Sequence, residues 1–176
     1  IIRIMATKKL TNEFMEKILN DSAWTELSEN FAWTEQMLEK HKNKVDWKAI
    51  SNNNNIVWTP AMLDKFKKFI DWQELSSTGC ETILTEECLE QFEDYWDWGK
   101  LSENRELELN YLLIDKFIDY WDWSELIDRW HDEKLYNADF LERYADKIPS
   151  SQLQDSRLWR ELVEERAKEL KLEVIA

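Results

Sequence analysis

The feature that most restricts the fold of this chain is a unit of about 25 residues that recurs six times between residues 10 and 154. Each unit begins at an apolar anchor, and successive anchors are separated by 23 to 27 residues. The anchors are Leu10, Trp33, Trp58, Leu84, Leu109 and Tyr136. Self-similarity at such a period is typical of stacked repeats, in which each unit buries its apolar face against its neighbours.

The first half of each unit has the signature of an amphipathic helix. A residue type that is preferred at helix N-caps follows every anchor. These predicted caps are Thr11, Thr34, Thr59, Thr85, Asn110 and Asn137. Apolar residues then recur four, five, eight and twelve positions after the anchor, which places them on one face of a helix. We therefore predict a helix of about three turns in each unit.

The second half of a unit starts with Asp-Trp, at residues 46–47, 71–72, 97–98 and 122–123. The Asp predicts a second N-cap, and Glu74 predicts a capping box with Asp71. Because the Trp recurs at one position, we expect it to pack against the next unit rather than to form a stacking platform for bases or sugars. Asn residues at positions 30, 53 and 104 fall where a left-handed residue would end the second, shorter helix.

The two ends of the array deviate from the pattern. The first unit has Ala23 in place of the Asp, and the sixth has Pro149 and Ser150 in place of Asp-Trp. Degenerate terminal units suit the outermost faces of a stack, because those faces meet water. Residues 1–9 are a short lead, and Ser156 is a predicted N-cap of a final helix within residues 155–176. Residues 172–176 are compatible with a short strand or with the cut end of a longer protein.

The segments DWKAISNNNNIVW, WDWGKLSEN and DKFIDYWDWSEL share an Asp-Trp-x-x-Leu-Ser core. This core resembles a tandem helical repeat of uncharacterised proteins from bacteria and large DNA viruses, and the resemblance covers residues 10–154. It implies a helical-repeat fold and no shared activity, so no site residue is carried over from it.

These patterns predict an all-α fold. We expect a short α-solenoid of six helix-pair repeats of about 25 residues, closed by a C-terminal capping helix. Two Gly and two Pro exclude a turn-rich β protein, and 11 Trp argue against a disordered chain.

The residues that carry chemistry are few and dispersed. The two His and two Cys are too scattered for a zinc site, and no phosphate-binding loop, nucleophile elbow or dinucleotide fingerprint is present. His41 falls at a core position and His131 in a polar segment. We therefore predict no metal, no cofactor and no enzymatic activity. Cys80 and Cys88 are interpreted as reduced thiols, which indicates a cytoplasmic location.

The negative charge is concentrated in the last three units. Residues 86–146 carry 6 basic and 19 acidic side chains, a net charge of −13 out of −14 for the whole chain. Acidic residues four positions apart repel each other on one helix face, and we hypothesise that they form a docking face for a basic partner. The candidates are Glu90, Asp94, Asp115, Asp119, Glu142 and Asp146. The competing interpretation is a solvated face that keeps an aromatic-rich chain in solution.

The sequence thus favours a non-enzymatic protein–protein interaction scaffold with a protein partner. The alternative is an acidic inhibitor or nucleic-acid mimic that neutralises a basic protein such as a nuclease. Neither direct nucleic-acid binding nor a membrane span is expected of this chain, because it is acidic and lacks a long apolar segment. Trp130 lies outside the repeat pattern and is the candidate surface aromatic.

Overall fold

The computed structural model describes residues 12–130, 132 and 134–175. Over these residues the chain is all-α, with twelve helices and no strand, as the sequence predicts. The lead at residues 1–9, the anchor Leu10, the cap Thr11 and His131 lie outside the described residues. None of the described helices is long and apolar enough to cross a membrane.

Units two to six each contain two helices of four to seven residues, between the 19-residue helices at the two ends of the described chain. In chain order the helices are α1 (Asn12–Asn30), α2 (Glu35–His41), α3 (Trp47–Ser51), α4 (Pro60–Phe66), α5 (Trp72–Thr78), α6 (Glu86–Gln91), α7 (Trp98–Glu103), α8 (Tyr111–Lys116), α9 (Trp123–Leu126), α10 (Ala138–Tyr144), α11 (Ser150–Leu153) and α12 (Arg157–Ile175).

The N-caps are where the sequence places them. In units two to six the Thr or Asn after the anchor accepts a hydrogen bond from the backbone N–H three residues later. The N···O distances run from 2.9 Å at Asn110 to 3.4 Å at Thr34. The four Asp residues of the Asp-Trp pairs cap α3, α5, α7 and α9, each accepting a backbone N–H two or three residues later. Capping depends on adjacent residues only, so sequence alone reveals it.

The prediction of three-turn helices is wrong. Helices α2, α4, α6, α8 and α10 have six or seven residues, and a turn follows each of them. The residue twelve positions after the anchor is nevertheless buried, because the turn carries it back to the core. In the third unit, for example, the Ile70 N–H bonds the carbonyl of Phe66 at 3.1 Å. A helix followed by such a turn produces the same apolar spacing as a longer helix.

The first unit is one continuous helix rather than a pair. Helix α1 runs for 19 residues through the position where the other units turn. The reason is Ala23, which has no side-chain oxygen to cap a new helix and has the highest intrinsic helix propensity.

The C-terminal helix α12 begins as predicted, with Ser156 Oγ accepting the N–H of Trp159 at 3.2 Å. It continues to Ile175, so residues 172–175 are helical and the strand interpretation is wrong. Only its start packs against the array: Leu158 is fully buried, whereas Val163 and Leu170 are exposed. The predicted capping helix therefore covers the end of the array with the first turns of α12 alone.

Helix α1 and the second helices of the following units contact each other in series, α1 with α3, α3 with α5, α5 with α7 and α7 with α9. Buried apolar side chains from Trp33 to Leu158 form one core. Units one to five thus contact each other in chain order.

Candidate functional site

Four buried serines connect successive units, and we call them the junction serines: Ser28, Ser51, Ser76 and Ser102. Each Oγ donates to the carbonyl of the Trp four residues earlier at 2.6–2.7 Å. The same Oγ accepts the backbone N–H of the Asp that starts the next short helix, at 2.9–3.0 Å. One hydroxyl therefore joins two units at each of the four boundaries between the first and the fifth unit.

The carbonyls of the junction serines also accept a side chain of the next unit. The donors are Asn53, Thr78, Asn104 and Arg129, each six residues after the Trp of its unit. The expected left-handed Asn is not found at Asn104, where φ is −68° and ψ is 121°. A side chain that reaches the preceding helix, rather than a left-handed backbone, explains why a polar residue recurs here.

Arg129 replaces the Asn or Thr of the earlier units, and sequence analysis missed it. Its side chain is buried, donates to the carbonyl of Leu107 at 2.6 Å and forms an ion pair with Asp132. The signal in the sequence is its position, six residues after Trp123, where an Asn or Thr stands in the earlier units. Its contacts within the fold account for a buried charge.

The predicted capping box in the third unit does not form. Because the N–H of Asp71 donates to Ser51 Oγ at 2.9 Å, it is not available to Glu74. Glu74 instead forms an ion pair with Lys48 of the preceding unit at 3.2 Å. A contact between units has replaced a contact within one.

The repeated tryptophans pack against the next unit, as predicted. The centroid of each Trp ring lies 4.9–5.6 Å from the centroid of the aromatic ring that stands eight positions after the next anchor. The pairs are Trp47–Phe66, Trp72–Phe92, Trp98–Phe117 and Trp123–Tyr144. Each indole Nε1–H also donates to the carbonyl five residues earlier, at 2.8–3.3 Å. The indoles therefore serve the packing of units.

Three of the six candidate acidic residues form ion pairs with the following unit. Glu90 pairs with Lys116 at 2.7 Å, Asp115 with Arg143, and Asp119 with Lys147 at 2.6 Å. Asp94, Glu142 and Asp146 make no ion pair with any described residue. The expected row of like charges is therefore half neutralised by cations of the following unit.

These ion pairs shift the titration of their members. Hydrogen bonds that the Lys116 ammonium donates to Glu86 and then to Glu90 raise the pKa of Lys116 to about 12. The Arg143 guanidinium, and then the hydroxyl of Tyr144, lower the pKa of Asp115. Both groups keep their charge across the neutral range, so these pairs persist at physiological pH. All of them are largely exposed, and each contributes little to stability.

A second repeated surface emerges from the structure alone. We call it the aromatic row: Phe69, Tyr95 and Tyr120, each eleven positions after its anchor. Their exposures are 41%, 40% and 42%. Each ring packs on the repeated Trp of the preceding unit, with centroids 5.2, 5.1 and 4.8 Å apart. The signal for this surface in the sequence was an aromatic residue eleven positions after the anchor in three successive units.

Trp130 is 51% exposed, and guanidinium groups lie close to its ring. The guanidinium carbon of Arg157 lies 3.0 Å from the ring centroid, and that of Arg105 lies 6.0 Å away. The role of Trp130 in binding stays a prediction.

The residues that the structure describes contain no group of three His, Cys, Asp or Glu that could hold a metal ion. An open cleft of about 480 Å³ lies beside Ser51, Trp58 and Cys80. Among its described lining residues there is no His, Lys or Arg.

Comparison of the chain with family models, curated proteins and solved structures found no match. The resemblance to tandem Asp-Trp repeats stays a prediction, and the function is argued from the geometry alone.

Proposed function

We propose that the protein is a non-enzymatic protein–protein interaction scaffold built on an α-solenoid. The observation that carries this is the junction serine, which makes the same hydrogen bonds at four successive boundaries. Identical hydrogen bonds at successive boundaries favour a similar rotation from unit to unit, and arrays of this kind form curved ribbons with extended binding surfaces. The first unit joins the series through Ser28, although it is a single helix.

A protein partner is supported by the aromatic row. Its three rings are each about two-fifths exposed and lie on consecutive units. Apolar patches that continue along a surface mark interaction sites more often than scattered exposed residues do. The two free cysteines support a cytoplasmic location.

The alternative function is an acidic inhibitor or nucleic-acid mimic that neutralises a basic protein such as a nuclease. It is favoured by the net charge of −13 on residues 86–146 and by the three candidate carboxylates that form no ion pair with described residues. A field of this kind steers a basic partner and weakens with salt.

Affinity capture with charge-reversal variants tests both functions. The test variant is Asp94→Lys, Asp119→Lys and Asp146→Lys. The matched control is Glu16→Lys, Glu164→Lys and Glu165→Lys, which changes the net charge equally at exposed residues outside the candidate face. Each tagged protein is used to capture partners from cells that express it, with washes at low and high salt.

A scaffold retains a stoichiometric partner at high salt and in both variants. An acidic inhibitor retains a basic partner at low salt only, and loses it in the test variant but not in the control. Capture of nothing above background by the unaltered protein contradicts both functions.

A further inference from the structure

Most of helix α12 is not packed against the array. Its first turn is fixed, because Leu158 is fully buried and its N–H donates to the carbonyl of Ile127 at 3.0 Å. Residues 163–175, by contrast, are all exposed. Helices of fewer than about 12–15 residues are marginal in water on their own, so a packing partner would stabilise this part of α12.

The exposed part of α12 carries apolar residues with the spacing of a coiled coil. We call them the α12 stripe: Val163, Ala167, Leu170 and Val174. Intervals of four, three and four residues place these side chains on one side of the helix. Val163 and Val174 are 51% and 85% exposed. The centre of the stripe lies about 110–150° around the helix from Leu158 and Leu162, which pack on the core. The stripe therefore faces away from the array.

The charges on the two flanks of the stripe restrict what can pack on it. One flank carries Glu164 and Lys171, and the other carries Arg166 and Glu173. In an antiparallel pair of identical helices related by a two-fold axis, each flank meets the same flank of the other copy. The register that pairs the two ends of the stripe places Glu164 beside Lys171 of the second copy. It also places Arg166 beside Glu173 of the second copy, and each pair occurs twice.

Other arrangements of the same two helices bring like charges together. In a parallel pair the two different flanks face each other, so Arg166 meets Lys171 of the second copy about one turn further on. An antiparallel pair shifted by one heptad toward the start of α12 places Glu164 against Glu164 and Arg166 against Arg166. The opposite shift places Lys171 and Glu173 against themselves. The unshifted antiparallel register alone gives all four residues an opposite charge.

The contacts of α12 within its own chain leave these charges available. Glu164 and Lys171 form no ion pair with a described residue. Arg166 pairs with Glu169 at 2.6 Å and with Glu173 at 3.6 Å, both through Nη1, so its guanidinium keeps donors for a further carboxylate. Residues 157–175 carry 5 basic and 5 acidic side chains. Two copies of α12 therefore meet without net repulsion between them, although the whole chain has a charge of −14.

We infer that the protein forms a homodimer through the α12 stripe, with the α12 helices of two copies packed antiparallel as a short coiled coil. The apolar stripes supply the contact, and the flanking charges set its direction and register. A stripe of two heptads gives a small interface, and small interfaces associate weakly, so the dimer forms as concentration rises. The inference does not depend on the proposed scaffold. It adds that two copies of the array are joined at their C-terminal ends.

Sedimentation velocity of the full-length chain tests the inference, from micromolar to submillimolar concentration at physiological salt. The charge variants are Glu164→Lys and Lys171→Glu, each alone, mixed in equal amounts, and combined in one chain. The apolar variants are Leu170→Gln in the stripe and its matched control Leu172→Gln, which alters an exposed leucine on the opposite side of α12. Circular dichroism confirms that every variant is folded.

We expect the unaltered chain to shift from monomer to dimer as its concentration rises. Glu164→Lys and Lys171→Glu should each weaken dimerisation about tenfold, because each replaces two attractive contacts per dimer by two repulsive ones. The equal mixture and the chain with both changes should regain the dimer, since opposite charges meet again. Leu170→Gln should lose the dimer, and Leu172→Gln should keep it.

A chain that stays monomeric at every concentration would overturn the inference and would leave the affinity-capture test of the scaffold unaffected. Tighter association of Lys171→Glu would indicate the parallel pair, in which this change removes a repulsion from Arg166, and would overturn the antiparallel arrangement. A dimer that neither Leu170→Gln nor the charge variants weaken would lie on another surface, for example on α1, and would overturn the inference as well.

Discussion

Replacing a junction serine should weaken the fold although almost no volume is lost. Ser76 is fully buried, and its Oγ accepts the N–H of Asp97 at 3.0 Å while donating to the carbonyl of Trp72 at 2.6 Å. In Ser76→Ala the Asp97 N–H loses its acceptor at a boundary between units. The Trp72 carbonyl loses one of its two hydrogen bonds at most. We therefore expect the unpaired Asp97 N–H to account for most of the change in the free energy of unfolding.

The magnitude follows from two opposing effects. A buried donor left without a partner costs about 1–3 kcal/mol. Alanine is the better helix former, which returns up to about 0.5 kcal/mol. The net loss in the free energy of unfolding should be about 0.5–3 kcal/mol. With a urea dependence near 2 kcal/mol per molar, the unfolding midpoint should fall by about 0.25–1.5 M.

The neighbouring residue supplies a matched control. Ser77 lies on the same helix, is exposed, and its Oγ donates only to the carbonyl of Gln73 at 3.1 Å. Ser77→Ala gains the same helix propensity without removing a junction, so the difference between the variants isolates the hydrogen bond. Urea titration followed by circular dichroism measures both midpoints. Equal midpoints would refute the structural role assigned to the junction serines.

Two further predictions concern the core. Trp98→Ala should destabilise the protein by about 3 kcal/mol, because the ring packs on Phe117 and Tyr120 and is only partly exposed; a loss under about 1 kcal/mol in urea titration would contradict that packing. Burial raises the pKa of Cys88 from 9.0 to about 11, so its neutral thiol stabilises the fold below pH 9 and this contribution is lost between pH 9 and 11. Iodoacetamide at pH 9 should therefore alkylate the partly exposed Cys80 well before Cys88, and equal labelling by mass spectrometry would count against the buried position.

The local features of the fold were predictable because they depend on neighbours in the chain. The N-caps at Thr59 and Asn110, and the packing of Trp98 on the following unit, follow from residue type and period. The length of the helices could not be predicted, since Ile70 reaches the core equally well from a helix or from a turn. The hydrophobic period indicates which residues are buried, but it does not show whether a helix or a turn brings them to the core.

The contacts between units were the least predictable part. Glu74 and Asp71 have the spacing of a capping box, yet the Asp71 N–H bonds a serine 20 residues earlier. Asp115 belongs to a row of like charges in the sequence and to an ion pair with Arg143 in the structure. Both outcomes depend on the distance between units in space, which a single sequence does not contain. The aromatic row escaped notice for a related reason, because exposure cannot be read from residue type.

The junction serines also bear on how such a chain can change in length. Ser28, Ser51, Ser76 and Ser102 are 23, 25 and 26 residues apart and make the same hydrogen bonds. A gene segment copied or deleted between two equivalent serines would join ends that already fit each other. The series of units can therefore grow or shrink by whole periods during evolution while these boundaries keep their hydrogen bonds. Because the three periods differ by up to three residues and still make these hydrogen bonds, a one-residue insertion in the loop of one unit would also leave the later boundaries intact.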